Sequence, residues 1–227
     1  MTAEPWLDER FGADLDPRLT WHCAPPRWQL GPDGLQIGTM AGTDFWQGTH
    51  YGFRVDNGHA LLAEIGGDFA LETRVRTQPV HQYDQAGLMV RLSPECWLKT
   101  SVENEPGAPS RLGAVITNGG WSDWSTQDLD PALAREMGFR VTRSGADYLV
   151  EAMVGHGAWS QIRLGRLHDN RDGPVQAGLY ACSPKGAGLE VRFERLAIWS
   201  RPRPRCPAGH SRYVSTGACG PRQANIG

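Results

Sequence analysis

The chain is 227 residues long, with 23 basic and 25 acidic side chains and a net charge of −2. That near-balance argues against a nucleic-acid binder, which carries a basic stripe, and gives no electrostatic reason for an anionic membrane partner. No apolar run approaches the ~20 residues of a membrane span, and the opening "MTAEPWLDERFG" has Glu4, Asp8 and Glu9 where a signal peptide has a basic start and an apolar block; a soluble, cytoplasmic protein is expected.

A single all-β domain of ~200 residues, with or without a tail, fits this length. A core of that size needs no disulfide support. The 28 glycines and 16 prolines fall between short apolar runs, which indicates many turns and therefore many strands. In chain order the strand-like segments begin with "GLQIGTM" (34–40), "HYGFRV" (50–55), "FALETRVRT" (69–77) and "AGLMVRL" (86–92). "CWLKTSVE" (96–103), "LGAVITN" (112–118), "GFRVTRSG" (138–145) and "DYLVEAMV" (147–154) follow. "SQIRLGRL" (160–167), "PVQAGLYACS" (174–183) and "LEVRFERLAIWS" (189–200) complete an antiparallel all-β pattern.

The connections "RSGAD" (143–147) and "VGHGAW" (154–159) read as hairpin turns, with glycines able to take a positive φ. One or two helical turns are expected at "DPALAREM", where Asp130 is the N-cap, Pro131 takes the first helical position, and Leu133 stacks on Met137. Glu72, Arg74 and Arg76 share one strand face, a row that an ordinary exposed edge explains as well as a binding role does. Gln85-Ala86-Gly87-Leu88 recurs as Gln176-Ala177-Gly178-Leu179. The echo is either chance or two neighbouring strands of one sheet, each using glycine where something bulky approaches. Beyond Trp199 the composition turns to Pro, Arg and Gly, so a folded domain over 1–200 and an extended tail over 201–227 are expected.

Five scattered cysteines (Cys23, Cys96, Cys182, Cys206, Cys219) make no disulfide framework and fit reduced thiols. Cys206, His210 and Cys219 lack a fourth ligand and the spacing of a zinc module, so no metal is expected. No phosphate-cradling glycine loop, Gly-x-Ser-x-Gly or His-Glu-x-x-His occurs, and no cofactor is expected.

The segment 96–103 is unusual on its polar side. Period-two geometry places Trp97, Lys99, Ser101 and Glu103 on one face, opposite Leu98, Thr100 and Val102. Nine tryptophans exceed the needs of one core, so some should be exposed. "NGGWSDWSTQD" (118–128) reads as a loop carrying Trp121, Asp123 and Trp124, and "TDFWQGTHYG" (43–52) adds Trp46, His50 and Tyr51. Loops on a rigid scaffold commonly bear binding groups.

The order of "TDFWQGTHYGF", "YDQAGLMVR", "WLKTSVENE", "AVITNGGWSDWS", "AWSQIRL" and "VQAGLYACSP" resembles the domain-of-unknown-function family of regulator-of-enolase-like proteins, from about Trp21 to Trp199. The resemblance implies an all-β, concanavalin A-like antiparallel β-sandwich (a jelly roll), the fold of many lectins and glucanases, with a ligand on its concave sheet. It does not cover the tail and implies no established activity.

In such a sandwich one row of each concave strand faces a groove. Trp97, Lys99, Trp46, Tyr51, Tyr83, Gln85, Trp121 and Trp124 are then the candidate ligand-binding residues. An indole matches the apolar face of a pyranose, and charged groups hydrogen-bond its hydroxyls. The competing reading is a solvated face with a Lys99–Glu103 pair and a loop pinned by one buried indole. For an enzyme the catalytic candidates are Glu103, His50 and Asp123, converging as acid, base and orienting group. A sandwich glucanase is disfavoured, because Asn104 and Pro106-Gly107 end the strand at Glu105 and no mid-strand Glu-x-Asp-x-x-Glu run occurs. The leading expectation is a binder of a carbohydrate or small polar metabolite. An enzyme on such a molecule is the first alternative, and a module with a protein partner is the second.

Overall fold

Side-chain alternation governs the described chain, residues 4–168 and 173–201 of a computed structural model. Among those residues there are antiparallel strands and turns but no helix. The strands β1 (Leu7–Glu9), β2 (Leu19–His22), β3 (Arg27–Gly31), β4 (Gly34–Gly38), β5 (Phe45–Gln47) and β6 (Arg54–Asp56) come first. Next are β7 (His59–Ile65), β8 (Asp68–Gln78), β9 (Gln85–Ser93), β10 (Cys96–Glu103), β11 (Ser110–Asn118) and β12 (Trp121–Leu129). The last are β13 (Glu136–Ser144), β14 (Asp147–Val154), β15 (Ser160–Arg166), β16 (Val175–Cys182) and β17 (Glu190–Arg201). The expected tail beyond Arg201, with Cys206, His210 and Cys219, lies outside the described residues.

Two sheets form the sandwich. One runs β15-β14-β13-β8-β17-β4-β3, with β1 also joined to β17. The other has seven strands, β12-β11-β10-β9-β16-β7-β2, and β5 with β6 makes a separate two-stranded ribbon. A register shift between Phe193 and Arg195 divides β17 into a half that pairs β4 and a half that pairs β1. Inward residues of both sheets build the main core, among them Phe69 and Leu71 of β8, Leu98 of β10 and Leu179 of β16. Burying such side chains supplies ~1.5–3 kcal/mol each. No helix among the described residues is long and apolar enough to cross a membrane.

Several expectations need correction. The segment 130–137 forms a turn, not a helix: Asp130 caps it by accepting from the Ala132 amide at 2.8 Å, but Met137 is drawn into β13 and Leu133 stays exposed. "NGGWSDWSTQD" is not a loop, because Gly119 and Gly120, both with positive φ, turn the chain into β12. The segment 50–55 is mostly the tip of the β5–β6 ribbon, where Gly48, His50 and Gly52 all take positive φ and only Arg54 and Val55 enter a strand. The Glu72, Arg74, Arg76 row belongs to β8, a central strand, and its ends pair with Arg140 and with Glu136 and Glu194.

β7 carries no alternation in "HALLAEI" because both of its faces are covered. Leu61, Ala63 and Ile65 enter the main core, while Ala60 and Leu62 join a second cluster on the opposite face. The glycine echo does mark neighbouring strands, β9 and β16. What approaches is backbone: a Cβ on Gly87 would lie 2.0 Å from the Thr100 carbonyl oxygen, and one on Gly178 would lie 2.1 Å from that of Leu61.

Candidate functional site

The pleat of β10 sends Leu98 and Cys96 into the main core and Trp97, Lys99 and Glu103 to the outer face of the seven-stranded sheet. There the β5–β6 ribbon covers half of the row. Phe45 meets Trp97 at 6.1 Å and Tyr180 at 6.2 Å between ring centroids, closing a second apolar cluster. Gly58 is required beside this packing, because a Cβ there would come within 2.3 Å of the Phe45 ring and 2.5 Å of Cys182 Sγ. The ribbon is tied to β12 by the Gln47 amide, which donates to Ser122 Oγ at 2.9 Å.

Past the end of this cover a cavity of about 150 Å³ opens. Its aromatic walls are Trp46, Tyr51, Phe53, Tyr83 and Trp124, and its polar lining comprises Asp44, Gln85, Lys99 and Glu103, with Pro184 and Lys185 completing it. The indoles of Trp46 and Trp124 meet edge to face at 6.4 Å, and Trp46 meets Tyr51 at 5.5 Å. Trp46 is fixed by its own Nε1, which donates to the Thr49 carbonyl at 3.0 Å. Tyr83 holds a φ of 67°, with its amide donating to Asn104 O at 2.8 Å and the Lys185 ammonium 5.6 Å from its ring centroid.

The polar groups differ in how fully they are bonded. Lys99, 2% exposed, donates to Asp44 Oδ1 at 3.1 Å and to Gln85 Oε1 at 2.9 Å. The same Gln85 oxygen accepts from the Tyr180 hydroxyl at 3.0 Å, and Gln85 Nε2 donates to the Tyr83 carbonyl at 3.0 Å. Gln85 is therefore spent on holding its neighbours. Burial opposes the Lys99 charge, but the Asp44 and Glu103 carboxylates outweigh it and hold its pKa above the ordinary lysine value. Glu103 is 8% exposed and its carboxyl has no hydrogen bond to any described residue. Burial pushes it up to about 7 against the pull of Lys99, and Asp44 and Glu105 add to the rise. The site thus presents a fixed cation beside a carboxyl that exchanges a proton near neutrality.

Trp46, Tyr51, Tyr83, Gln85, Lys99, Trp124 and Glu103 meet in this cavity. Trp97 does not: it is 0% exposed, with Nε1 donating to Pro94 O at 3.1 Å, and it supports the ribbon from below. Trp121 is 61% exposed outside the cavity, packed against Gly48 and under the Arg54 guanidinium. The three catalytic candidates do not converge. His50 sits on the ribbon tip against Tyr51 at 4.8 Å, and Asp123 is ion-paired with Arg163 at 2.8 Å. Asp123 neighbours Ser122 and Trp124 on a strand, so the pleat turns it to the other side. Sequence reasoning missed Asp44, Phe53, Pro184 and Lys185. Asp44 stood inside a quoted aromatic stretch, and its position before a strand whose next residue is a buried Phe was the available signal.

Residues 21–200 match a family described as "Protein of unknown function (DUF1349)". The chain belongs to this family. A relative in Saccharomyces cerevisiae, "Regulation of enolase protein 1", is 37% identical over 179 residues, covering 79% of this chain and 88% of the relative. A crystal structure of a functionally unknown protein from Saccharomyces cerevisiae superposes with a TM-score of 0.74 at 32% identity, covering 81% of this chain and 97% of that one. The GH43 BlXynB protein from Bacillus licheniformis gives a TM-score of 0.66 at 14% identity over 86% of this chain and 39% of that one. At that identity the likeness shows the sandwich fold alone.

Proposed function

We propose that this DUF1349 chain binds a carbohydrate or another small polar ligand in the cavity beside the β5–β6 ribbon, in a cytosolic metabolic or regulatory role. The observation that carries this reading is the pairing of an edge-to-face aromatic wall with an unbonded carboxyl and a fixed ammonium. Aromatic faces take up the C–H side of a sugar ring, and charge-assisted hydrogen bonds take its hydroxyls. The regulatory part of the reading is supported by the name of the yeast relative, which also motivates a search for a protein partner. Trp124, half-buried at the cavity wall, is the test: Trp124→Ala should cut affinity for a sugar ligand at least ~tenfold while leaving the unfolding midpoint nearly in place. Unchanged affinity in a folded variant would refute the binding reading.

A second reading, catalysis by proton transfer on such a molecule, is favoured by the Glu103 carboxyl at about 7, a value suited to a general acid or base at neutral pH. Under it Glu103 moves the proton, Lys99 stabilises negative charge on a substrate oxygen, and His50 and Asp123 take no part. Glu103→Gln should then lower turnover of the substrate by ~10²-fold or more. A variant with full turnover removes Glu103 from the chemistry.

A further inference from the structure

The cavity is narrower in what it can accept than the general reading requires. Its volume of about 150 Å³ is on the scale of one small ring and well short of an oligomer. On the side of Trp97 the packing of Phe45, Trp97 and Tyr180 closes the strand direction next to Lys99. The Lys99 ammonium is already bound by Asp44 and Gln85, and both functions of the Gln85 amide are taken. The Glu103 carboxyl is left to accept from a ligand hydroxyl, and the third N–H of Lys99 is left to donate to a ligand oxygen.

We infer, resting on the binding reading above, that the cavity takes one uncharged ring rich in hydroxyl donors, a single monosaccharide unit entering end-on, and rejects charged sugars. The lining carries two carboxyls, Asp44 and Glu103, and two ammonium groups, Lys99 and Lys185, so its charge is balanced without a ligand. An anionic sugar would meet Asp44 and Glu103, and a cationic amino sugar would meet Lys99 and Lys185. A neutral hydroxyl donates to Glu103 without either repulsion, and Lys99 retains a third N–H for a ring or hydroxyl oxygen.

The experiment titrates the full chain with D-glucose and D-xylose, with D-glucuronate and D-glucosamine, and with a six-unit β-1,4-xylan oligomer, read by tryptophan fluorescence and calorimetry. The expected result is saturable binding of a neutral monosaccharide, at least ~tenfold weaker binding of both charged sugars, and no more than about a threefold gain for the oligomer. Glu103→Gln should weaken the neutral sugar about tenfold and narrow the discrimination against glucuronate. Glucuronate or glucosamine binding as tightly as the neutral sugars, or the oligomer binding over tenfold tighter, overturns the inference while leaving the binding reading in place. If no probe of any kind binds, both fall.

Discussion

Glu103 shows how one side chain couples a site to stability. Its ordinary pKa of 4.5 rises to about 7 in the folded chain, so the folded state holds the proton more tightly than the unfolded state. The resulting stabilisation is fully present below pH 4.5 and is lost as pH rises through 7, a swing on the order of 3 kcal/mol. Glu103→Gln should abolish this slope in denaturant unfolding and exceed the parent in stability at about pH 8. A variant that keeps the parental slope would show that another group carries it. At this scale the sequence spoke clearly about β10. The parity of Trp97, Lys99 and Glu103 is a property of any strand, so their common face was legible; that Trp97 lies under the ribbon while Glu103 lines an opening was not, because the cover comes from residues some fifty positions away.

Among the elements, the strands with one face on the core and one on water announced themselves through alternation, as β8, β13 and β14 do. Two classes escaped. β7 has both faces buried and reads as an apolar run, whereas β12 is an edge strand whose polar residues reach solvent and read as a loop. The β9–β10 pair, which carries Gln85 and Glu103 opposite each other, depends on Gly87 lying against the Thr100 carbonyl. Gly87→Ala should therefore cost ~1–3 kcal/mol in urea unfolding and weaken ligand binding with it. Gly66→Ala, with nothing within 4 Å of the new methyl group, is the control and should stay within ~0.5 kcal/mol. Equal effects of the two would mean that backbone crowding does not set this pairing.

Across the whole molecule, His59 joins segments far apart in sequence. Its Nε2 accepts from the Met40 amide at 3.1 Å, and its Nδ1 lies 2.6 Å from the Cys23 carbonyl, to which it donates in the neutral ring. Burial lowers its pKa below the ordinary 6.5, against the opposing pull of that carbonyl. The unfolded chain takes the proton first as pH falls, so this contribution is complete above pH 6.5 and is lost through the folded value below it. Its slope is opposite in sign to that of Glu103. In the Glu103→Gln background, thermal unfolding should therefore decline steeply on acidification below pH 6.5, and a flat profile there would contradict the role given to His59.

Composition, turn residues and alternation were enough to determine an antiparallel all-β chain, because those signals act within a few residues of one another. The shared face of Lys99 and Glu103 follows from the same local rule. The tertiary structure alone decided which half of that face is sealed, that Asp123 turns away to Arg163, and that Asp44 arrives to pair with Lys99. Each of those depends on where a distant ribbon or opposing sheet comes to rest, and burial, the quantity that sets the Glu103 proton affinity, exists only once the elements have packed.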